Sequence, residues 1–135
     1  MADTFHLSVL TPLREVFAGE VMSVTVSGHK GDFGVLPGHV AYITAVHPGA
    51  LVIETAAGNR VFAVSEGFAQ VSSEKVSIIV SGAIDSESLD LNTVKSELAS
   101  AEQRLMELGP QDEGHTDAEV DHVMALGKLH ALEVR

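Results

Sequence analysis

Leu51-Val52-Ile53-Glu54-Thr55-Ala56-Ala57-Gly58-Asn59-Arg60-Val61-Phe62-Ala63-Val64 is the stretch whose reading decides the fold class. Two short β-branched runs, Leu51 to Thr55 and Arg60 to Val64, flank a gap whose Gly58-Asn59 pair is a hairpin turn signal. Each run is too short for a helix and the right length for a strand. The same texture continues on both sides. Upstream, Phe5, Leu7 and Val9 alternate with His6, Ser8 and Leu10 and stop at Thr11-Pro12. Met22, Val24 and Val26 alternate with Ser23, Thr25 and Ser27 and stop at Gly28. Tyr42 to Val46 stops at His47-Pro48-Gly49. Downstream come Phe68 to Ser72 and Lys75 to Val80, with a turn at Ser72-Ser73-Glu74. Short strands with turn signals between them predict an antiparallel sandwich or barrel over residues 3–84. No helix-length pattern separates the strands, which argues against parallel βαβ units.

The texture changes near residue 85. Between Asp90 and Leu108 the apolar residues are Leu91, Val94, Leu98, Ala101, Leu105 and Leu108, a single helical stripe. Asp90 suits the N-cap, and Gly109-Pro110 is a stop, with Gly109 open to a left-handed cap. Thr116-Asp117-Ala118-Glu119 reads as a capping box with Thr116 at the N-cap and Glu119 at N3. Val120, Val123, Met124, Gly127, Ala131 and Val134 then form the stripe of a second helix. The short link makes the pair an antiparallel hairpin. The expected organisation is a β-sandwich domain over residues 1–85 and a helical hairpin domain over residues 86–135, with helices at about 90–108 and 117–134. A hairpin this small is marginal alone and must lean on something.

The chain has 135 residues, 45% hydrophobic and 20% charged, which is one domain or one domain with an appendage. Eight Lys and Arg stand against nineteen Asp and Glu, for a net charge of −11. That excludes nucleic acid as a partner, because phosphate binding depends on clustered cations, and it disfavours adsorption to anionic lipid. The charge is uneven: residues 1–85 carry a net −4 and residues 86–135 a net −7. With no cysteine there is no disulfide, thiol catalyst or zinc–thiolate site. No run approaches a membrane helix, and no targeting segment is expected ahead of the first strand.

Little in the chain looks like a catalytic centre. His6, His29, His39, His47, His115, His122 and His130 are scattered, with no His-x-His or His-Glu-x-x-His spacing, so no metal site is expected. Ser65-Glu66-Gly67 lacks the Gly-x-Ser-x-Gly elbow of a nucleophile. The densest signal is Gly28-His29-Lys30-Gly31-Asp32-Phe33-Gly34-Val35-Leu36-Pro37-Gly38-His39. It is not a phosphate cradle, because no Gly-Lys-Ser/Thr ends it and no helix follows. It reads as a structured loop presented for contact, with Val35-Leu36-Pro37 packed down.

Taken in order, these pieces resemble the epsilon subunit of F-type ATP synthase. The resemblance rests on His6-Leu7-Ser8-Val9, Phe17-Ala18-Gly19, the loop from Gly28 to His39, His47-Pro48-Gly49, Gly67-Phe68 and Leu89-Asp90. It implies a ten-stranded sandwich followed by a helical hairpin. It implies a non-catalytic rotor subunit of the central stalk, one copy per complex, that couples proton-driven rotation of the c-ring to ATP synthesis. The implied partners are the gamma subunit and the c-ring, with transient contact of the hairpin on the alpha and beta subunits to regulate ATP hydrolysis. The implied place is the cytoplasmic side of a bacterial inner membrane, peripheral to it through the complex. By the same resemblance Gly31, Asp32 and Phe33 face the c-ring and His39 faces gamma. The ATP motif of some members appears only in degenerate form, as Leu89, Asp90, Thr93 and Val94, with Thr93 where an Arg would meet phosphate; no bound ATP or other cofactor is expected. The hairpin has only Lys95, Arg104, Lys128 and Arg135 against eleven acids, so strong inhibition of hydrolysis is not expected. Two other classes stay open: a free-standing β-sandwich that binds a ligand or senses one, and a metal-dependent jelly-roll enzyme.

Overall fold

The computed structural model describes residues 4–28, 31–38 and 41–135. Ten strands come first: β1 (Phe5–Leu10), β2 (Glu15–Val21), β3 (Ser23–Gly28), β4 (Gly31–Val35), β5 (Tyr42–Val46), β6 (Gly49–Thr55), β7 (Gly58–Val64), β8 (Gly67–Val71), β9 (Lys75–Val80) and β10 (Ala83–Asp85). A short 3-10 turn, Ser86–Ser88, leads to α1 (Leu91–Glu107) and α2 (His115–Val134). The strands form two five-stranded sheets, β2-β1-β9-β8-β5 and β10-β7-β6-β3-β4. Pairing is antiparallel except between β1 and β9, which run parallel with Leu7 opposite Val76. The expected sandwich and hairpin are both present, with that parallel pair as a departure from a purely antiparallel design.

The core lies between the sheets. Leu7, Val9, Val24, Leu51, Ile53, Val76 and Ile78 are fully buried there. Their alternation along each strand puts one face inward. Burial of such side chains removes roughly 1.5–3 kcal/mol worth of apolar surface each from water. β6 and β7 are different. Val61, Phe62, Ala63 and Val64 are all buried, and so are Ala50, Leu51 and Ile53. Their outer residues Ala50, Val61 and Ala63 pack with Ala131 of α2, with Val52 and Leu89 at the edge. The run that decided the fold class is continuous because the hairpin covers the second face of these two strands.

Several local expectations need correction. The β6–β7 turn is Ala56–Ala57, not Gly58-Asn59: Thr55 pairs with Gly58, and the Thr55 hydroxyl donates to the Gly58 carbonyl at 2.7 Å. Gly58 opens β7 with φ +126°, a backbone state closed to most residues. The segment 31–35 is a strand rather than a loop, paired with β3 from Gly28↔Gly31 to Val24↔Val35. Val35 packs down as expected, but Leu36 is exposed. α1 is capped by Asp90, whose carboxylate accepts from the Thr93 amide and hydroxyl, both at 2.9 Å. It ends in an extended Leu108, and Gly109 is not left-handed. α2 begins at His115, two residues earlier than expected. Its N-cap is Gly114 at φ +90°, and Glu119 instead pairs with His115 Nδ1 at 2.8 Å. The intervening loop is wound by Asp112, which accepts from the Gly109 amide at 2.7 Å and makes the first turn without the box.

α1 packs on α2, and α2 packs on β6 and β7. Val94 and Ala101 are buried on α1, but Leu91 is exposed. On α2 the buried residues are Ala118, Ala125, Gly127 and Ala131, while Val120 and Val134 of the expected stripe are exposed. The helix has two covered sides, so a single stripe described only one of them. Arg104–Asp121 at 2.6 Å and Lys128–Glu97 at 2.9 Å mark the side that meets α1.

Candidate interaction surfaces

The register of the first sheet assembles an apolar row on its outward face. Ala45 lies opposite Phe68, Phe68 opposite Ile79, and Ile79 opposite Leu10. Ile43 extends the row on the edge strand. Phe68 is 44% exposed and Ile43 69%. The second sheet has its outer face under α2, so the two faces of the sandwich are not equivalent: one is covered by the chain itself, the other is not. Ile43 was missed as a candidate contact residue at the sequence level. The signal was present, since Ile43 and Phe68 occupy outward positions where an alternating strand normally places polar residues.

Gly31, Asp32 and Phe33 sit at the start of β4, an edge strand. Gly31 and Asp32 are exposed, whereas Phe33 is half-buried against the main core. The structure thus brings the first two to a surface and gives the third a packing role. The end of the sandwich that carries them also carries Gly49 and the β5–β6 link, through the Gly28↔Gly49 pairing. A hollow of about 500 Å³ lies beside them, lined among others by Asp32, Pro48, Val123, His130 and Glu133. His39 lies outside the described residues.

The degenerate ATP motif is occupied by local structure. Asp90 and Thr93 are held together as a helix cap, and these hydrogen bonds from Thr93 keep the Asp90 carboxyl below its ordinary value. Val94 is buried under the hairpin and Leu89 edges the α2–sheet contact. Where β10 meets the 3-10 turn, Asp85 accepts from the Glu87 amide at 3.0 Å and from Arg60 at 2.9 Å, and these bonds lower its carboxyl likewise. The Arg60 guanidinium stacks over Phe62 at 5.1 Å.

Ser65 is nearly buried, its hydroxyl 2.6 Å from that of Ser81 and donating to the Gly82 carbonyl, which is a structural use. His6, His115 and His122 each face a single carboxylate, of Glu20, Glu119 and Glu102. Among the described residues no three metal-ligating side chains come together, and no helix is long and apolar enough to cross a membrane.

Residues 4–86 match the family model described as ATP synthase, Delta/Epsilon chain, beta-sandwich domain. The ATP synthase epsilon chain of Geotalea uraniireducens (strain Rf4) is 33% identical over 112 residues, 83% of this chain and 81% of that one. That of Geobacter metallireducens is 31% identical over 96% of this chain and 94% of its own length. A chain in the mitochondrial ATP synthase of Euglena gracilis, solved as an assembly of OSCP, F1 and c-ring, shares the fold with a TM-score of 0.80 at 21% identity, over all of this chain and 84% of that one. The chain belongs to the ATP synthase delta/epsilon family. It is an epsilon-type subunit of that complex, without catalytic chemistry of its own.

Proposed function

We propose that this subunit stands in the central stalk, bound to gamma through the outward face of the first sheet and to the c-ring through the start of β4, and that it passes proton-driven rotation of the ring to the catalytic head. The observation that supports this most is the uncovered row of Ile43, Phe68, Ile79 and Leu10. It lies on the one sheet face the hairpin leaves open, and an exposed apolar row of this kind suits a protein partner. Gamma is the partner assigned to it, since His39 precedes β5 by only a few residues. Gly31 and Asp32 are assigned to the c-ring side. The subunit works as one copy per complex, as two parts, the sandwich of residues 1–85 and the hairpin of residues 86–135. It is held peripherally at the cytoplasmic face of a bacterial inner membrane, through the complex.

Crosslinking within the assembled enzyme tests the assignment. A photoreactive residue at Ile43 should give adducts with gamma, and one at Asp32 should give adducts with the c-ring. The same partner at both positions, or none, would remove the two-surface arrangement.

The hairpin is proposed to touch the alpha and beta subunits transiently and to inhibit hydrolysis only weakly. It is also proposed to hold no ATP: the carboxylate of the motif already serves Thr93, and no guanidinium takes its place. A calorimetric titration of the full chain with ATP should show no binding in the micromolar range; a micromolar dissociation constant would overturn this.

A further inference from the structure

α2 is docked so closely on β6 that a Cβ on Gly127 would stand 3.2 Å from both the Cα and the amide nitrogen of Gly49. Beside it, β3 and β4 carry the sheet onward, with Ser23, Thr25 and Ser27 only partly buried. A helix sunk against one strand and a sheet running past it make a corner. The hollow of about 500 Å³ beside Asp32 lies in that corner. A second hollow, of about 270 Å³, adjoins it over Glu66, Thr116 and Val120. Pro48 and Val123 line both, so the two form one groove along α2.

On α2 the groove follows Thr116, Val120, Val123, Leu126, His130 and Glu133, three or four residues apart, which is one face of a helix. That face is neither the one that meets α1, marked by Asp121 and Lys128, nor the one that lays Ala131 on the sheet. It runs for about 26 Å at about 1.5 Å per residue. It also accounts for two residues that the packing of the hairpin does not use. Val120 and Val134 belong to the apolar stripe of the sequence, yet they are 52% and 40% exposed. Each lines one of the two hollows.

The rim is acidic. Glu66 and Glu119 border the smaller hollow and Glu133 the larger, and no Lys or Arg lines either among the described residues. Glu66 accepts from the Ser81 hydroxyl and Glu119 faces His115, so neither is neutralised by a Lys or Arg there. Carboxylates around an apolar floor repel nucleotides, phosphate and anionic lipid. They also repel a second copy of this chain, whose net charge is −11. The matching chemistry is a peptide segment whose aliphatic side chains are flanked by Lys or Arg.

We infer that this groove docks a basic, apolar segment of a neighbouring subunit, laid along α2 with its aliphatic side chains on Val120 and Val123 and its cations against Glu66, Glu119 and Glu133. The inference rests on the stalk reading for the identity of the neighbour; the preference of the groove belongs to the chain alone.

Nuclear magnetic resonance on the full chain reads that preference. The probe is a synthetic peptide of about 18 residues, the length of the groove as a helix, with Leu at helical spacing and Lys between. Shifts should concentrate on Ser27 and on residues 116–134. Glu66→Gln with Glu133→Gln should weaken binding about fivefold to tenfold, the effect of two rim charges. Glu107→Gln with Glu113→Gln, the same charge change made at the apex of the hairpin, should leave it within about twofold. Val120→Arg should abolish binding, and at an exposed helix position it leaves the fold intact. Shifts on the outer face of α1 instead, an equal loss from the apex pair, or full binding by Val120→Arg overturns the proposal. In the assembled enzyme, a photoreactive residue at Val120 should give an adduct on a segment of another subunit that has more Lys and Arg than Asp and Glu. No adduct, an adduct on an acidic segment, or one on a second copy of this chain overturns it. A chain that binds the peptide in the groove but does not assemble into ATP synthase keeps the groove and loses the stalk reading.

Discussion

Gly67→Ala should destabilise the sandwich by about 3 kcal/mol or more, a loss that belongs to the small class of severe steric substitutions. A Cβ at this position would lie 1.9 Å from the Ile79 carbonyl oxygen and 2.7 Å from the Val80 Cα. Both obstacles are backbone, so no side chain can rotate out of the way. β8 is also an interior strand, hydrogen-bonded to β9 on one side and β5 on the other. The backbone cannot retreat without breaking one ladder. Urea unfolding of the variant measures the loss. Gly19→Ala is the control, since the nearest atom there is the Phe17 ring at 3.8 Å; it should cost under about 1 kcal/mol. A Gly67→Ala chain as stable as the Gly19→Ala chain would show that β8 and β9 do not approach as described.

Phe68→Asp should leave the fold intact and weaken attachment to the complex by at least about thirtyfold. Phe68 points outward and is already 44% exposed, so the carboxylate meets water in the free chain. In the proposed interface it would sit between Ala45 and Ile79, buried without a partner. Truncation or reversal of a central aromatic anchor costs about 2 kcal/mol or more, which sets the thirtyfold figure. The measurement is a titration of the chain onto enzyme stripped of this subunit. Met106→Asp on α1, 87% exposed, should bind as the unaltered chain does. Equal affinity for all three would move the gamma contact off the first sheet.

The same two residues show what could be seen in the sequence alone. Gly67-Phe68 was visible as a step in the family pattern, but its two physical roles were not. The glycine serves a strand–strand approach that only coordinates reveal, and the phenylalanine faces outward because of register. Seven strands were legible, from alternation or from short β-branched runs between turn signals. The three that were not, β2, β4 and β10, all lie on sheet edges. An edge strand has a neighbour on one side only, tolerates glycine and charge, and so carries a weak pattern: β2 reads Glu-Val-Phe-Ala-Gly-Glu-Val, and β4 has two glycines in five residues. Helix positions were legible to within a few residues. The α2 start was not, because Asp112 and Gly114 wind the turn before the apparent capping box, and Glu119 finds His115 instead.

The charge asymmetry acquires a structural meaning. The hairpin carries eleven acids and four cations. In the docked state three of the four cations are committed, to Glu97, Asp121 and the Ser86 carbonyl. Exposed ion pairs contribute little stability each, roughly 0–1 kcal/mol, so they do not weld the hairpin shut. Their effect is on what the hairpin offers to others. Docked or free, it presents an acidic surface, poorly matched to acidic segments of a partner. The fine geometry of attachment falls to uncharged features, Gly127 against Gly49 and the alanines around them.

The most direct measurement of the account is affinity capture of the tagged full chain from solubilised membranes, with the recovered subunits quantified. Gamma and the catalytic subunits should be recovered together with the c-ring, in proportion to one copy of this chain, and should be lost when the captured chain carries Phe68→Asp. Recovery of the chain without gamma, or undiminished recovery with Phe68→Asp, would contradict it.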